Sequence, residues 1–192
     1  MQPLISDEPD LIPSLIETLY AKSTARFRAA KQLQLISQSN PALLYPHFDV
    51  FTNLLDSNSS VLLWNGIIIL SHLVKVDSDK RFDRILDKYY SHLWDSKLVT
   101  AANILASSGR IARHLPHLAG RITEELLKVD TVPLPSDECR EVCRGNILAS
   151  LGEYPDFWKS NSSVHDFILR GAASHRPAVR KRAEALLNKY FS

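Results

Sequence analysis

One aliphatic position recurs along the chain, at Leu33, Ile69, Leu105, Leu148 and Leu187, spaced 36, 36, 43 and 39 residues apart. Three or four residues before each stands a small residue: Ala29 and Ala30, Gly66, Ala101 and Ala102, Gly145, and Ala183. Two helices approach closely only over short side chains, so this pairing of large with small marks the inner helices of a stack of helical hairpins. A hairpin of this length cannot bury its apolar face alone and does so against its neighbours.

Around these positions apolar residues recur at i, i+3, i+4 spacing in paired segments, as in Phe48, Phe51, Leu54 and Leu55. The first members are predicted at residues 10–20, 43–55, 81–94, 118–129 and 164–173, and the second members at 24–37, 60–74, 96–109, 137–151 and 177–191. Asp56-Ser57, Asp95-Ser96 and Asp130 close three first members, a Ser or Asp stands ready to cap the helix that follows, and Pro177 sits in a first turn. No apolar–polar alternation persists through a β-branched run, so no strand is expected. The expectation is an all-α, right-handed α-α superhelix forming one domain over residues 1–192, with five hairpins over 10–39, 42–76, 81–112, 117–154 and 164–192. Two joints are long: 131–136, with Pro133 and Pro135, and 152–163.

The second member of each pair resembles the inner helix of HEAT repeats, and the resemblance covers essentially the whole chain. Val179-Arg180-Lys181-Arg182-Ala183 followed by Leu187 carries it, as does Ala25-Arg26 with Ala29-Ala30 and Leu33. The middle copies have Leu62, Leu98 and Glu141 where the family has arginine. The resemblance implies an armadillo-like helical solenoid that works as a scaffold or adaptor, without implying any particular activity.

An inner helix of such a stack is covered behind by its partner and on both sides by neighbouring repeats, leaving one narrow stripe. Winding the copies at about 100° per residue puts there Thr24, Arg28, Lys31 and Leu35; Ser60, Trp64, Ile67 and Ser71; Ser96, Thr100, Asn103 and Ser107; Cys139, Cys143, Asn146 and Ser150; and Ala178, Arg182, Ala185 and Lys189. Of these, Arg28, Lys31, Trp64, Ile67, Thr100, Asn103, Asn146 and Arg182 are the candidate binding residues. Trp64 and Ile67 would form an anchor about 10 Å from the basic pair Arg28 and Lys31. That combination suits a protein or peptide partner with an apolar residue beside Asp or Glu.

Composition narrows the alternatives. With 192 residues, 45% hydrophobic and 23% charged, the chain is ordinary globular material, and its formal charge of +2 neither demands nor excludes a polyanion. Residues 1–9 are polar and acidic, unlike a signal peptide, and the most apolar run, 61–70, is too short to cross a bilayer, so no membrane partner is expected. Two cysteines make no disulfide framework and point to a reducing, cytoplasmic setting. His114 and His117 with Cys139 and Cys143 have the composition of a zinc site. They fall at opposite ends of parallel helices, about 20 Å apart at 1.5 Å rise per residue, so no metal is expected. Cys139 opens a helix but has no third group to orient it as a nucleophile. The six glycines form no phosphate loop. Neither a cofactor nor an enzymatic activity is expected.

Nucleic acid is the alternative partner, because some helical-repeat proteins of this kind grip DNA by its backbone and a subset are DNA glycosylases. Arg26, Arg28 and Lys31, then Arg110, Arg113 and Arg121, then Arg140 and Arg144, then Arg176, Arg180, Lys181, Arg182 and Lys189 would form a phosphate track. Glu124, Glu125, Glu138, Glu141 and Glu153 interrupt it, and the aromatic and aspartate set of such a glycosylase is missing. At the ends, Asp7, Glu8 and Asp10 would charge the first face, whereas Ala185, Leu186, Leu187, Tyr190 and Phe191 would leave an apolar last face that seeks another chain, including a second copy. The proline loop, 131–136, is a candidate contact element.

Overall fold

The computed structural model describes residues 11–191, and among these every regular element is helical and no strand is present. The chain divides into two compact units, Met1–Ser78 and Asp79–Ser192. Asp7, Glu8 and Asp10 lie outside the described residues.

In the first unit α1 (Leu11–Leu19) pairs with α2 (Ala25–Ser39). The continuous helix expected over 43–55 is instead α3 (Pro41–Leu44), a 3-10 turn Tyr45–His47, α4 (Phe48–Asn53) and a second 3-10 turn Leu54–Asp56. Pro46 accounts for the break, because it has no N–H to donate and its ring crowds the carbonyl four residues back. This broken segment packs on α5 (Ser60–Leu73), which also lies beside α2. Gly66 permits the contact: a Cβ there would stand 2.8 Å from Leu54 Cβ and 3.2 Å from the Phe51 carbonyl oxygen. Ser37 and His72 join α2 to α5 at 2.8 Å, and Tyr45 donates to Asp77 at 2.7 Å.

In the second unit α6 (Leu86–Ser91) and α8 (Ala119–Leu127), each flanked by 3-10 turns, are the outer partners of α7 (Leu98–His114) and α9 (Asp137–Leu151). The last hairpin is α10 (Ser162–Ala172) with α11 (Pro177–Tyr190). The inner helices α7, α9 and α11 lie side by side in that order. The recurring aliphatic column is buried at Leu33, Ile69, Leu105 and Leu148, and half-buried at Leu187. Ser136 caps α9 by accepting from the Cys139 N–H at 3.2 Å, and Asn161 caps α10 by accepting from Ser163 and Val164 at 3.0 and 3.2 Å.

α7 continues past Gly109, where the pattern ended it. This glycine is a packing position rather than a stop: a Cβ there would lie 2.5 Å from the Ser150 carbonyl oxygen and 2.7 Å from Ser150 Cα. Ser150 in turn donates its hydroxyl to the Leu105 carbonyl. Further bonds link consecutive repeats: Thr123 to Tyr154 at 3.0 Å, Asp83 to His117 at 2.8 Å, Asp87 to Arg121 at 2.5 Å, and buried Glu141 to the Ser174 hydroxyl.

Both long joints are tied down. In the proline loop Val132 is buried, and Arg140 Nη1 donates to the carbonyls of Val129, Asp130 and Val132 at 3.1, 3.0 and 3.2 Å. The 152–163 joint buries Trp158, whose indole N–H donates to the Leu151 carbonyl at 2.8 Å and whose rings stand 5.5 Å from Tyr190 and 6.3 Å from Phe191. Trp158 therefore covers part of the apolar end of α11. Leu186 is buried, while Arg180, Lys181, Glu184 and Asn188 are exposed. Leu187, Tyr190 and Phe191 are half-buried and Ala185 is exposed.

Two glycine substitutions should separate packing from propensity. Gly109→Ala forces a methyl into the Ser150 backbone, which cannot move aside, and should cost about 3 kcal/mol in urea unfolding. Gly120→Ala, with no atom within 4 Å of the added Cβ, should stabilise by about 0.5–1 kcal/mol. Equal effects would show that α7 and α9 do not meet at Gly109.

Candidate binding face of the inner helices

Burial divides the predicted stripe. Thr100 and Cys143 are fully buried, and Ser107 and Ser150 two turns later are buried too; on α9 this side faces α7. Ser150 shows it directly through its contact with Gly109 and Leu105. Thr100 is therefore withdrawn as a contact residue. In the first unit Ile67 is withdrawn too: it is 0% exposed, and Leu63, Leu70 and Val74 on the same row of α5 are buried with it. A helix apolar on all sides is a core helix. Trp64 is half-buried, while Arg28 and Lys31 are exposed on α2. With Ile67 inside, the aromatic–aliphatic anchor expected beside that basic pair does not assemble.

The face that is left free in the second unit is rotated from the predicted stripe by about 60° at 3.6 residues per turn. On α7 it carries Val99, 47% exposed, with half-buried Asn103 and exposed Ala106. The same three positions of α9 are half-buried Val142, half-buried Asn146 and exposed Ala149. Val99 and Val142 lie outside the predicted stripe, whereas Asn103 and Asn146 were expected on this surface. The two amides occupy one column on adjacent parallel helices. Neither has a hydrogen-bond partner for its side chain among the described residues.

Next in order, α11 places exposed Lys181 and Ala185 in the corresponding positions. Arg182 reaches back across α9, where Nη1 donates to the Gly145 carbonyl at 2.8 Å. The absent side chain of Gly145 makes the room, since a Cβ would stand 3.3 Å from that nitrogen. Arg182, a predicted site residue, thus ends one residue from Asn146.

Several of the other basic residues make internal contacts. Arg140 holds the proline loop. Arg144 pairs with Asp130 at 2.7 Å and with Glu141, Arg176 with Glu138 at 2.6 Å, and Arg121 with Asp87. Arg26 lies 4.9 Å from the Phe27 ring centroid. No cluster of three or more His, Cys, Asp or Glu side chains among the described residues is placed to hold a metal, and His117 of the zinc-like set belongs to Asp83. Cys139 accepts from the Ser136 hydroxyl at 3.3 Å, and burial pushes the Cys143 thiol up to about 11, away from any nucleophilic role at neutral pH. Burial also raises Tyr154, to about 12, and holds Tyr90 well above the ordinary phenol value. No helix of the described residues is long and apolar enough to cross a membrane.

One feature escaped the sequence pattern: a cavity of about 210 Å³ between α6 and α8, floored by buried Leu86 and Tyr90 and edged by Trp94, 46% exposed, with Arg121, Glu125 and Lys128. Trp94 closes an amphipathic segment, and a large apolar residue at helical spacing reads as core. Its exposure follows only from the 3-10 turn His92–Trp94 that ends the helix.

No family model and no curated protein matches the chain. Among solved structures a designed armadillo repeat protein is similar at 12% identity, covering 92% of this chain and 98% of that one, with a TM-score of 0.40. Among the described residues every regular element of the chain is helical.

Two measurements check this face. At pH 8 a thiol reagent should titrate Cys139 in the native protein and reach Cys143 only on unfolding. Because the folded thiol of Cys143 is raised, its contribution to stability is complete below the ordinary value of 9.0 and is lost as pH climbs toward 11, so Cys143→Ala should show a shallower alkaline decline. On heparin the protein should wash off at or below about 0.15 M salt; firm retention beyond that would mean a continuous basic track exists.

Proposed function

We propose that the protein is a non-enzymatic scaffold that binds a protein segment in extended conformation along the inner face of α7, α9 and α11. The observation that carries this reading is the pair Asn103 and Asn146, half-buried and without partners, in one column of adjacent helices. An amide side chain offers both a donor and an acceptor, which is what a peptide backbone in extended form presents. Adjacent inner helices lie about 9 Å apart, close to three residues of extended chain at about 3.3 Å each. The two amides could therefore engage the same backbone three residues apart. Val99 and Val142 border them with apolar surface for alternate side chains, and Ala106 and Ala149 keep the trough open.

The repeat pattern supports assignment to HEAT-like solenoids, whose usual role is to hold another molecule. Two unpaired cysteines, one of them deeply buried, fit a cytoplasmic protein. Nucleic acid is the alternative reading, in which Arg110, next on the α7 row after Ala106, would meet a phosphate.

A random peptide library displayed on phage tests the proposal. Selected peptides should protect α7 and α9 amides from hydrogen exchange and lose at least tenfold in affinity, about 1.4 kcal/mol, on Asn103→Arg or Asn146→Arg. A library that yields no binders, or binders indifferent to both substitutions, overturns the reading.

A further inference from the structure

We infer that the cavity between α6 and α8 is a binding site for one neutral, hydroxylated ring, a pyranose sugar, seated against Trp94. The site lies on the outer helices of the second unit and does not rest on the peptide-binding reading above.

Two elements build it. On α6 and the turn that ends it, Leu86, Tyr90 and Trp94 recur at i, i+4, i+8, with Asp87 and Ser91 beside them. On α8 and its closing turn, Arg121, Glu125 and Lys128 recur at i, i+4, i+7, so each element gives one face to the cavity. Leu86 and Tyr90 are buried beneath it, and the Tyr90 hydroxyl donates inward to Ser108 at 2.8 Å. Trp94 is exposed and has no hydrogen-bond partner among the described residues. An exposed indole beside a cavity offers a flat apolar surface with one polar handle.

The charges decide which chemistry fits. The walls hold two acids and two cations, paired as Asp87 with Arg121 at 2.5 Å and Glu125 with Lys128 at 2.7 Å. A cationic guest would meet Arg121 and Lys128, an anionic guest Asp87 and Glu125, and a lining whose charges sum to zero favours neither. A plain hydrocarbon or phenyl group fails for another reason: it would strip water from four charged groups and return no hydrogen bond. A sugar hydroxyl both donates and accepts, so neighbouring hydroxyls can bridge a carboxylate and the cation beside it while the pair stays intact. Ser91 spends its donor on the Lys88 carbonyl at 2.7 Å and remains an acceptor. The C–H face of the ring then lies on Trp94. At about 210 Å³ the cavity is smaller than the roughly 300 Å³ at which sites for drug-sized ligands begin, so it holds a single ring.

Saturation-transfer NMR on the full chain tests the inference with D-glucose, D-galactose, D-mannose and N-acetyl-D-glucosamine, each as the free sugar and as its methyl glycoside. At least one should bind in the millimolar range expected of so small a neutral ligand, with the strongest transfer to the protons of one ring face. Trp94→Ala should abolish the signal and, at an exposed position, leave the melting curve nearly unchanged. If that variant fails to fold, Trp94→Phe and Asp87→Asn decide: the first should keep binding, and the second should weaken it several-fold. A methyl glycoside bound as well as its free sugar supports the site with the end of a glycan as its source, and preference for the free sugar supports it with a monosaccharide. No transfer to any of these probes, or transfer that survives both Trp94→Ala and Asp87→Asn, overturns the inference. So does binding of tetramethylammonium, benzoate or indole at Trp94 in place of every sugar. None of these outcomes touches peptide binding by α7 and α9, which Asn103→Arg and Asn146→Arg report separately.

Discussion

Backbone-to-backbone contact between α7 and α9 at Gly109 and Ser150 sets the helix spacing on which the second unit depends. At that separation no side chain fits between the two helices where they meet, so Gly109 and Ser150 must be small, and the Ser150 hydroxyl finds a partner in the Leu105 carbonyl. The bonds that link consecutive repeats are built on this spacing. The exposed ones, such as Asp87 with Arg121, add little stability individually, since solvent screens them. Buried Glu141 is different: without Ser174 and Arg144 its charge would be costly, so it selects one arrangement of α9 against the α10–α11 corner.

Much of this was legible in the chain. The column Leu33, Ile69, Leu105, Leu148 needed only a large residue with a small one before it, and the boundaries of α9 fell where Asp137 and Leu151 put them. Pro46 broke the helix expected over 43–55, although the signal was present in the sequence. Gly109 misled for a physical reason: glycine ends helices and also lets them touch, and only the neighbour at Ser150 tells which.

The candidate face was legible in part. Asn103, Asn146 and Arg182 lie where helical winding placed them, but Thr100 and Ile67 do not. Winding assumes that neighbours cover an inner helix evenly on both flanks. In the second unit the close approach of α9 to α7 covers more of α9 than that, leaving Val142 and Asn146 at its free edge. The cations show a similar gap between composition and structure. A net charge of +2 says nothing about whether an arginine faces water or, like Arg140, satisfies three carbonyls of a loop that has no ladder of its own.

Trp158 alters how the last helix behaves over time. A helix end with few packing neighbours ordinarily frays, exchanging its amides long before the interior does. Here the joint between α9 and α10 carries an indole tied to the Leu151 carbonyl and packed edge-on to Tyr190. Releasing the end of α11 therefore means exposing Trp158 and disturbing the end of α9 as well. The two helices are bound into one cooperative opening unit, and a surface that α9 and α11 build together keeps its shape on timescales longer than a fraying terminus would allow.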